Sequence, residues 1–252
     1  MTVEAGEVLA AIDGAQVGVF SYVMRSGRPN ACAVTPYTAD EVVVVSSTLA
    51  LIDKASAVRR DDRVALLANG VALSGHASVG VDLTAAWFDR HLRRQELAKY
   101  PPARSILSLP GHRRLFAWYL GRVVISITPA QVAMRAGDDR TTITVIDSDS
   151  AIQSFPIPRP ETIDAAEIDM DASIPDGPAV VLIHEENSAM TDLRQLTLHG
   201  HVASGRFVVD RRHGSLDGAP SGLLDQLALT RQLARRAKAN REHLRGWPVL
   251  GA

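Results

Sequence analysis

The segment from Val42 to Leu67 constrains the fold of this chain more than any other. It begins with four consecutive valines and the hydroxyl residues Ser46-Ser47-Thr48, continues through a short helical stretch that carries Lys54, and ends in a second apolar run. Apolar, β-branched runs of this length predict buried strands. Only three of the 27 lysine and arginine residues are lysines, and one of them lies here. Hydroxyl groups and a lysine after a strand are suited to holding a phosphate, since they combine directed hydrogen bonds with a positive charge.

Short antiparallel strands interrupted by helices account for the rest of the first 135 residues. The strand and helix periods predict a hairpin that crosses Asn69-Gly70, a dipeptide typical of tight turns. The predicted strands are 16–24, 31–37, 41–47, 63–68, 72–81 and 120–128, and the predicted helices are 3–12, 49–60 and 83–98, the last of them on the surface. We therefore predict a mainly β protein with α-helices (α+β), whose first domain is a mixed β-barrel over 1–135.

The second half of the chain differs in composition. Five prolines fall between Phe155 and Pro178, so 136–178 is predicted to be a linker or a long loop that wraps the first domain. The remainder, 179–252, is predicted to be a smaller β segment plus a C-terminal helix, with strands at 179–184, 195–203 and 206–210 and a basic amphipathic helix over 221–245. We expect this helix to pack on the barrel or on a dimer interface. Binding to a membrane surface or to nucleic acid is the alternative for its basic face.

A weak internal repeat links the two halves. Val64-Ala65-Leu66-Leu67, followed by Leu73-Ser74-Gly75-His76-Ala77, resembles Val180-Val181-Leu182-Ile183, followed by Leu198-His199-Gly200-His201-Val202. Nothing comparable to the helix of Lys54 precedes the second copy, since no lysine occurs in 155–178. Two interpretations are open. Either the second half kept the strands and lost the phosphate site, or two apolar hairpins merely look alike.

Composition restricts the environment and the partners of the protein. Hydrophobic residues make up 46% of the 252 residues, which is enough for a sizeable core, and the formal net charge is −1. A nearly neutral chain with 5% aromatic residues has no overall field for nucleic acid and few rings on which bases could stack. The single cysteine, Cys32, has no partner for an internal disulfide, and the sequence shows neither a signal peptide nor an apolar run long enough for a membrane span. We expect a cytoplasmic protein that binds neither nucleic acid nor membranes.

Common catalytic and metal-binding motifs are missing from the sequence. It contains no glycine-rich dinucleotide loop, Walker loop, nucleophile elbow or CxxC pair, which argues against the corresponding enzyme classes and against a zinc ribbon. His199 and His201 stand two residues apart on a predicted strand and, with His184, are a weak metal candidate. Their spacing is loose and no orienting carboxylate is evident, so we predict no metal site. Cys32 is expected to be a small buried side chain, with a nucleophilic pairing to His76 as a remote alternative.

The order of motifs in the first 135 residues resembles the flavin-binding split-barrel superfamily, which includes pyridoxamine 5'-phosphate oxidase and the deazaflavin-dependent reductases. The matching features, in chain order, are the opening helix, Gly27-Arg28-Pro29 at the first hairpin, Ser46-Ser47-Thr48, Lys54, the run from Arg59 to Leu66, Leu73-x-Gly75-x-Ala77, and the closing strands from Val123 to Arg135. The resemblance ends there and leaves the long C-terminal part unexplained.

This resemblance implies a flavin cofactor in a cleft between two barrels, usually across a homodimer. It implies that the phosphate is held by Ser46, Ser47, Thr48 and Lys54, and that the flavin ring is lined by Val34, Thr35 and Pro36. Relatives often carry a second basic residue two positions before the lysine, where this chain has Ile52. Arg25, Arg59 or Arg60 can substitute for it, and Arg59 is taken as the further candidate for cofactor binding.

The function that the resemblance implies is a flavin-dependent oxidoreductase that binds FMN and reduces or oxidises a small organic substrate. A deazaflavin-dependent reductase is one alternative, because that cofactor uses the same cleft. A non-catalytic flavin- or haem-binding protein is the other. No catalytic residue is predicted. The protein is expected to form a homodimer unless its second half replaces a partner subunit.

Overall fold

The computed structural model describes residues 4–217 and 223–251. Two antiparallel β-sheets form the framework of the protein, and helices pack mainly against the first sheet. The architecture is α+β, with a split barrel followed by a second β segment and a C-terminal helix, as the sequence predicts. None of the helices in the described residues is long and apolar enough to cross a bilayer.

The first sheet is built from seven strands that curl around an apolar core. They are β1 (Gly18–Val23), β2 (Pro29–Val34), β3 (Pro36–Ala39), β4 (Val42–Thr48), β5 (Arg63–Ala68), β6 (Val71–Asp82) and β7 (Arg122–Met134), in the spatial order β2-β1-β5-β6-β7-β4-β3. Side chains of α1 (Ala5–Gly14) and α2 (Asp53–Val58) complete the core. The predicted strand 31–37 is divided in two, because Pro36 has no N–H with which to continue the ladder. The predicted helix 49–60 is shorter than expected.

A helical segment between β6 and β7 covers the outer face of β4. It begins with a π-helical turn (Phe88–Leu92) and continues through α3 (Arg93–Lys99), α4 (Pro102–Leu107), α5 (His112–Leu115) and α6 (Ala117–Leu120). Val44 and Val124 of the sheet pack against the apolar side chains of this segment.

One side of this segment is buried, which corrects the prediction of a surface helix over 83–98. Glu96 is 4% exposed and accepts hydrogen bonds from the hydroxyls of Tyr37 and Tyr119 and from the guanidinium of Arg122. A buried carboxylate is tolerated because it is paired and fully hydrogen-bonded. Glu96 is one of the charged residues that indicate a solvent-facing helix in the sequence, yet it anchors this segment to the sheet through Arg122.

The second sheet has six strands, three of which fall in the region predicted to be a linker. They are β8 (Thr141–Ile146), β9 (Ile152–Pro156), β10 (Glu167–Asp169), β11 (Gly177–Glu186), β12 (Leu193–Ala203) and β13 (Arg206–Ser215), in the spatial order β10-β13-β12-β11-β8-β9. All six residues of β8 are buried, including its threonines, because the strand lies between its own core and the first sheet. The range 136–178 thus contributes strands as well as loops.

The strand order of the second sheet repeats that of the first. The strands can be matched in chain order: β8 and β9 correspond to β1 and β2, β10 corresponds to β4, and β11, β12 and β13 correspond to β5, β6 and β7. With this match, every strand pairing of the first sheet recurs in the second, apart from the pairing of β3. The two glycines of the sequence repeat occupy the same place in both copies. Gly75 and Gly200 each follow a register shift, beside the strand that comes next in the chain. The repeat is therefore structural, but its first strand is aligned one residue out in the sequence comparison, because Gly75 pairs with Val64 and Gly200 pairs with Ala179 instead of Val180. Within the described residues, the second copy lacks β3 and a helix in the position of α2.

The two sheets pack face to face through equivalent strands. β2 lies on β11, and the equivalent pair, β9 and β5, lies together in the same way. At the centre the hydroxyls of Ser21 on β1 and Thr144 on β8, which are equivalent strands, form a buried hydrogen bond of 2.7 Å. Each contact between the two sheets thus has a counterpart in which the two halves of the chain exchange places. The halves are therefore related by an approximate internal two-fold symmetry.

The C-terminal helix returns to the first barrel. α7 (Leu223–Leu244) contributes Ala237 and Leu244 to the barrel core, and Trp247 follows them. Its predicted range began at residue 221, and 218–222 lie outside the described residues. The chain after the helix runs along β6, where Val249 pairs with Val81. The helix is thus packed on the barrel, as expected.

Candidate cofactor-binding site

The hydroxyl residues Ser46, Ser47 and Thr48 form the end of β4. Ser47 pairs with Val123, which belongs to the barrel core, whereas Ser46 pairs with Val124, which faces the helical segment. Directly opposed residues share a face of the sheet, so Ser47 faces inward and Ser46 faces the helices. All three hydroxyl oxygens are buried and have no hydrogen-bond partner within 4–217 and 223–251. A buried polar group without a partner costs about 1–3 kcal/mol, which a ligand that supplies the missing partner would recover.

Lys54 lies on the first turn of α2, close to β2. Its side chain is half-buried, and it makes neither an ion pair nor a hydrogen bond to any described residue. Its charge reaches Cys32 on β2. Burial raises the pKa of the Cys32 thiol, and Lys54 opposes that rise. An ammonium group that forms no ion pair, six residues after a strand that ends in unpaired hydroxyls, suits an anion such as a phosphate.

Three side chains from the first hairpin lie on the same side as Lys54, and no motif in the sequence assigns them to the site. Tyr22 pairs with Asn30 across β1 and β2, and Phe20 pairs with Cys32, so Tyr22, Asn30 and Cys32 share the inner face. The amide of Asn30 donates a 2.7 Å hydrogen bond to the Tyr22 hydroxyl. Burial raises the pKa of Tyr22 to about 12, so its phenol stays protonated and remains a hydrogen-bond donor. The register of a hairpin around Gly27 is the sequence signal that places these residues together.

The ring-lining candidates Thr35 and Pro36 stand at the change from β2 to β3. Thr35 is half-buried and Pro36 is buried. The carbonyl of Pro36 accepts a 2.6 Å hydrogen bond from Lys99, which also donates to the carbonyl of Ile12 at 2.7 Å. A second of the three lysines therefore fastens α1 and β3 to α3 and is not part of the phosphate site.

Arg59, the further candidate for cofactor binding, contacts the segment that follows α7. It is exposed at the C-terminal end of α2, and its guanidinium lies 4.6 Å from the ring centroid of Trp247. A cation–π contact of this kind stabilises an exposed site by about 0.5–1 kcal/mol. This contact ties α2 to the segment that follows α7.

α7 borders the loop between β4 and α2. The amide of Asn240 donates a 2.9 Å hydrogen bond to the carbonyl of Leu49, and Arg236 lies 3.5 Å from the carboxylate of Asp53. Leu49 directly follows Thr48, and Asp53 directly precedes Lys54. The C-terminal helix therefore holds in place the segment that carries the candidate phosphate-binding groups.

The histidines considered for a metal are separated. The bulge at Gly200 leaves His199 buried at 5% exposure and His201 exposed at 46% in its side chain. His184 forms a 2.9 Å hydrogen bond with Glu186 through Nδ1. Within the described residues, no group of three or more His, Cys, Asp or Glu side chains is arranged to hold a metal ion.

Comparison with known proteins finds similar folds and no similar sequences. No protein-family model matches the chain, and no curated protein matches it. A structure from Listeria innocua named as a candidate pyridoxamine 5'-phosphate oxidase is 23% identical, with a TM-score of 0.38, and the match covers 52% of this chain and 96% of that one. An F420 reductase is 17% identical, with a TM-score of 0.36, over 49% of this chain and 94% of that one. A FAD-binding protein from Mesorhizobium loti is 16% identical, with a TM-score of 0.36, over 52% and 94%. Each of these matches covers about half of this chain and nearly all of the other chain.

Proposed function

We propose that this protein binds a flavin-type cofactor, most simply FMN, and acts as an oxidoreductase on a small organic substrate. The observation that supports this best is that two groups of the same segment lack partners. Lys54 forms no ion pair or hydrogen bond with any described residue, and the buried hydroxyl of Ser47, at the end of the preceding strand, faces the barrel core without a hydrogen bond. A phosphate would accept a hydrogen bond from this hydroxyl and would neutralise the lysine. The names of an F420 reductase and a FAD-binding protein among the similar structures agree with a cofactor of this class.

In this proposal the protein provides binding and orientation. A bound flavin supplies hydride and electron transfer, which the protein side chains cannot perform by themselves. Lys54 and Ser47 hold the phosphate, whereas Ser46 and Thr48 lie on the opposite face of β4, toward the helical segment. Tyr22, kept protonated by burial, is available as a neutral donor on the same side of β1 and β2 as Lys54. The contacts from Asn240 and Arg236 to the loop before α2 keep this region in place.

Substitution of Lys54 tests the proposal. Lys54→Ala removes one charge-assisted contact, so the affinity for FMN should fall roughly ten- to a hundred-fold, as measured by fluorescence titration. Riboflavin has no phosphate and should bind the variant as well as the wild type. Lys238→Ala, which removes an exposed lysine of α7, is the matched control and should bind both ligands normally.

Each other outcome has a defined meaning. Unchanged affinity of Lys54→Ala for FMN would contradict the phosphate assignment, and parallel losses for FMN and riboflavin would indicate damage to the barrel. The same titration with a deazaflavin cofactor distinguishes the reductase alternative, because the tighter ligand identifies the cofactor. If none of FMN, deazaflavin and haem raises the melting temperature of the protein, all three cofactor hypotheses are contradicted.

A further inference from the structure

A cavity lies where the end of β7 meets the second half of the chain. Its volume is about 500 Å³, which is within the range of small-molecule sites. The end of β7, the residues that follow β9 and the residues around and after β10 form its walls. Its apolar lining includes Phe155, Ile157, Ile168, Met170 and Ile174.

Arg135 brings a positive charge into this apolar wall. Its backbone N–H donates a 2.7 Å hydrogen bond to the carbonyl of Gly70, which fixes the residue at the end of the first sheet. The guanidinium carbon lies 4.3 Å from the ring centroid of Phe155. Its Nε is buried and has no hydrogen-bond partner among the described residues. The side chain is thus held against an aromatic ring with part of its donor capacity unused.

The other charged side chains of the wall already have partners. They are Arg159, which pairs with Glu185 at 2.6 Å, Asp169, which lies 3.7 Å from Arg206, and Asp171, which accepts a 2.8 Å hydrogen bond from the N–H of Ser173. Neither Arg135 nor Asp171 forms an ion pair with a residue in 4–217 or 223–251. Asp171 is exposed to solvent, whereas Arg135 is half-buried, so the unpaired charge that is partly withdrawn from water is positive.

The cavity lies at the place in the second half that is equivalent to the candidate site of the first half. Its walls follow β9 and β10, which are equivalent to β2 and β4 of the first half. It therefore occupies, in the second copy, the place that Thr35, Pro36 and the Ser46–Thr48 hydroxyls occupy in the first. No lysine occurs between residues 155 and 178, so a phosphate site like that of the first half is not present there.

We propose that this cavity binds a small organic carboxylate with an apolar or aromatic body. The guanidinium of Arg135 presents parallel N–H donors that match the two oxygens of a carboxylate. The isoleucine and methionine side chains would cover the apolar body, and this burial supplies the affinity that one ion pair near a surface does not. The site is separate from the flavin site and does not depend on it.

Titration calorimetry on the full-length protein tests this assignment. Benzoate and hexanoate are the probes, benzyl alcohol is the uncharged match for benzoate, and inorganic phosphate lacks the apolar body. We expect at least one carboxylate to bind with a stoichiometry of one, and its affinity to fall at least ten-fold in Arg135→Ala. Benzyl alcohol and phosphate should bind at least ten-fold more weakly than that carboxylate. Arg90→Ala, which removes an exposed arginine from the helical segment, should behave as the wild type.

A second variant covers the case in which Arg135→Ala does not fold. Met170→Glu places a negative charge in the half-buried wall and should also abolish carboxylate binding. Absence of binding by both carboxylates, or equal binding to wild type and variants, would overturn the proposal, as would phosphate binding as tight as that of benzoate.

Parallel titrations separate this inference from the flavin proposal. Lys54→Ala should retain carboxylate binding, and Arg135→Ala should retain FMN binding. If Arg135→Ala loses FMN while Lys54→Ala keeps it, the flavin itself occupies this cavity, and both assignments are overturned.

Discussion

Lys99 illustrates how one residue in this protein couples stability to pH. It is 6% exposed, and it donates hydrogen bonds to the carbonyls of Ile12 and Pro36. Burial lowers the pKa of Lys99 to about 8, and nearby Asp13 partly opposes that shift. The unfolded chain, in which an ordinary lysine titrates near 10.4, therefore binds more protons than the folded protein between these two values. Stability from this group must rise as the pH rises from about 8 to about 10.5.

The substitution Lys99→Met tests this linkage. The substitution removes the titrating group. Between pH 7.5 and 10.5, the rise in the free energy of unfolding should therefore be about 1–3 kcal/mol smaller in the variant than in the wild type. Denaturant unfolding at each pH measures the difference, and only the change with pH matters, because the two lost hydrogen bonds lower stability at every pH. Lys238→Met should leave the pH dependence unchanged. Parallel curves for wild type and Lys99→Met would contradict the lowered pKa.

The site residues show what a sequence can reveal at this scale. Lys54 stands out because lysine is rare in the chain, and the strand-end hydroxyls stand out because they follow four valines. Tyr22 and Asn30 carry no such local signal. They join the site only through the pairing register of β1 and β2, so their role follows from a contact between strands and not from a pattern along one.

At the scale of elements, the two bulge glycines make the sharpest prediction. A Cβ on Gly75 would lie 2.3 Å from the carbonyl oxygen of Thr128, and one on Gly200 would lie 1.9 Å from that of Val208. Both obstacles are backbone atoms, which cannot rotate away. Gly75→Ala and Gly200→Ala should each lower the free energy of unfolding by about 1–3 kcal/mol.

A third glycine provides the control for this measurement. Nothing lies within 4 Å of the Cβ position of Gly6, which is in α1. Gly6→Ala should raise stability by about 0.5–1 kcal/mol, because alanine loses less backbone entropy in a helix. Denaturant melts of the three variants compare these effects directly. A neutral substitution at Gly75 or Gly200 would mean that the neighbouring strand yields more easily than its pairing suggests.

Strands in which apolar and polar residues alternate, or in which all residues are apolar, could be predicted from the sequence. Elements whose burial depends on distant partners could not. The hairpin across Asn69-Gly70 follows from its turn dipeptide and is present as β5 and β6. β8 was missed because its threonines do not signal burial. Thr142 and Thr144 are buried only because the first sheet covers them. The helix at 83–98 was predicted as exposed because its charges are visible in the sequence and their partners, such as Arg122, are far along the chain.

At the scale of the whole molecule, we expect a monomer with one cofactor site. Val19 and Ala31 of the first sheet are buried by Val180 and Leu182 of the second, so the second half already covers this face. A further copy of the chain would have no access to it. Light scattering should give the mass of a single chain, and FMN should saturate at one equivalent. A dimer that persists on dilution, or two equivalents of FMN, would contradict this arrangement.

The substitution Leu182→Asp distinguishes an internal interface from one between chains. A charge in this buried cluster lacks any partner, so the unfolding free energy should fall by several kcal/mol. The mass of the remaining folded protein should stay that of one chain. An interface between separate chains would respond by dissociating, and the mass would halve.

The hydrogen bond between Ser21 and Thr144 has a genetic consequence. In a symmetric dimer, a codon change at the axis appears in both copies at once, so a residue there must fit against itself. In this chain the two positions are encoded separately, and they hold different residues, a serine and a threonine. Each half can therefore accept mutations that the other does not share, and one cleft is free to acquire a new ligand while the other keeps its own.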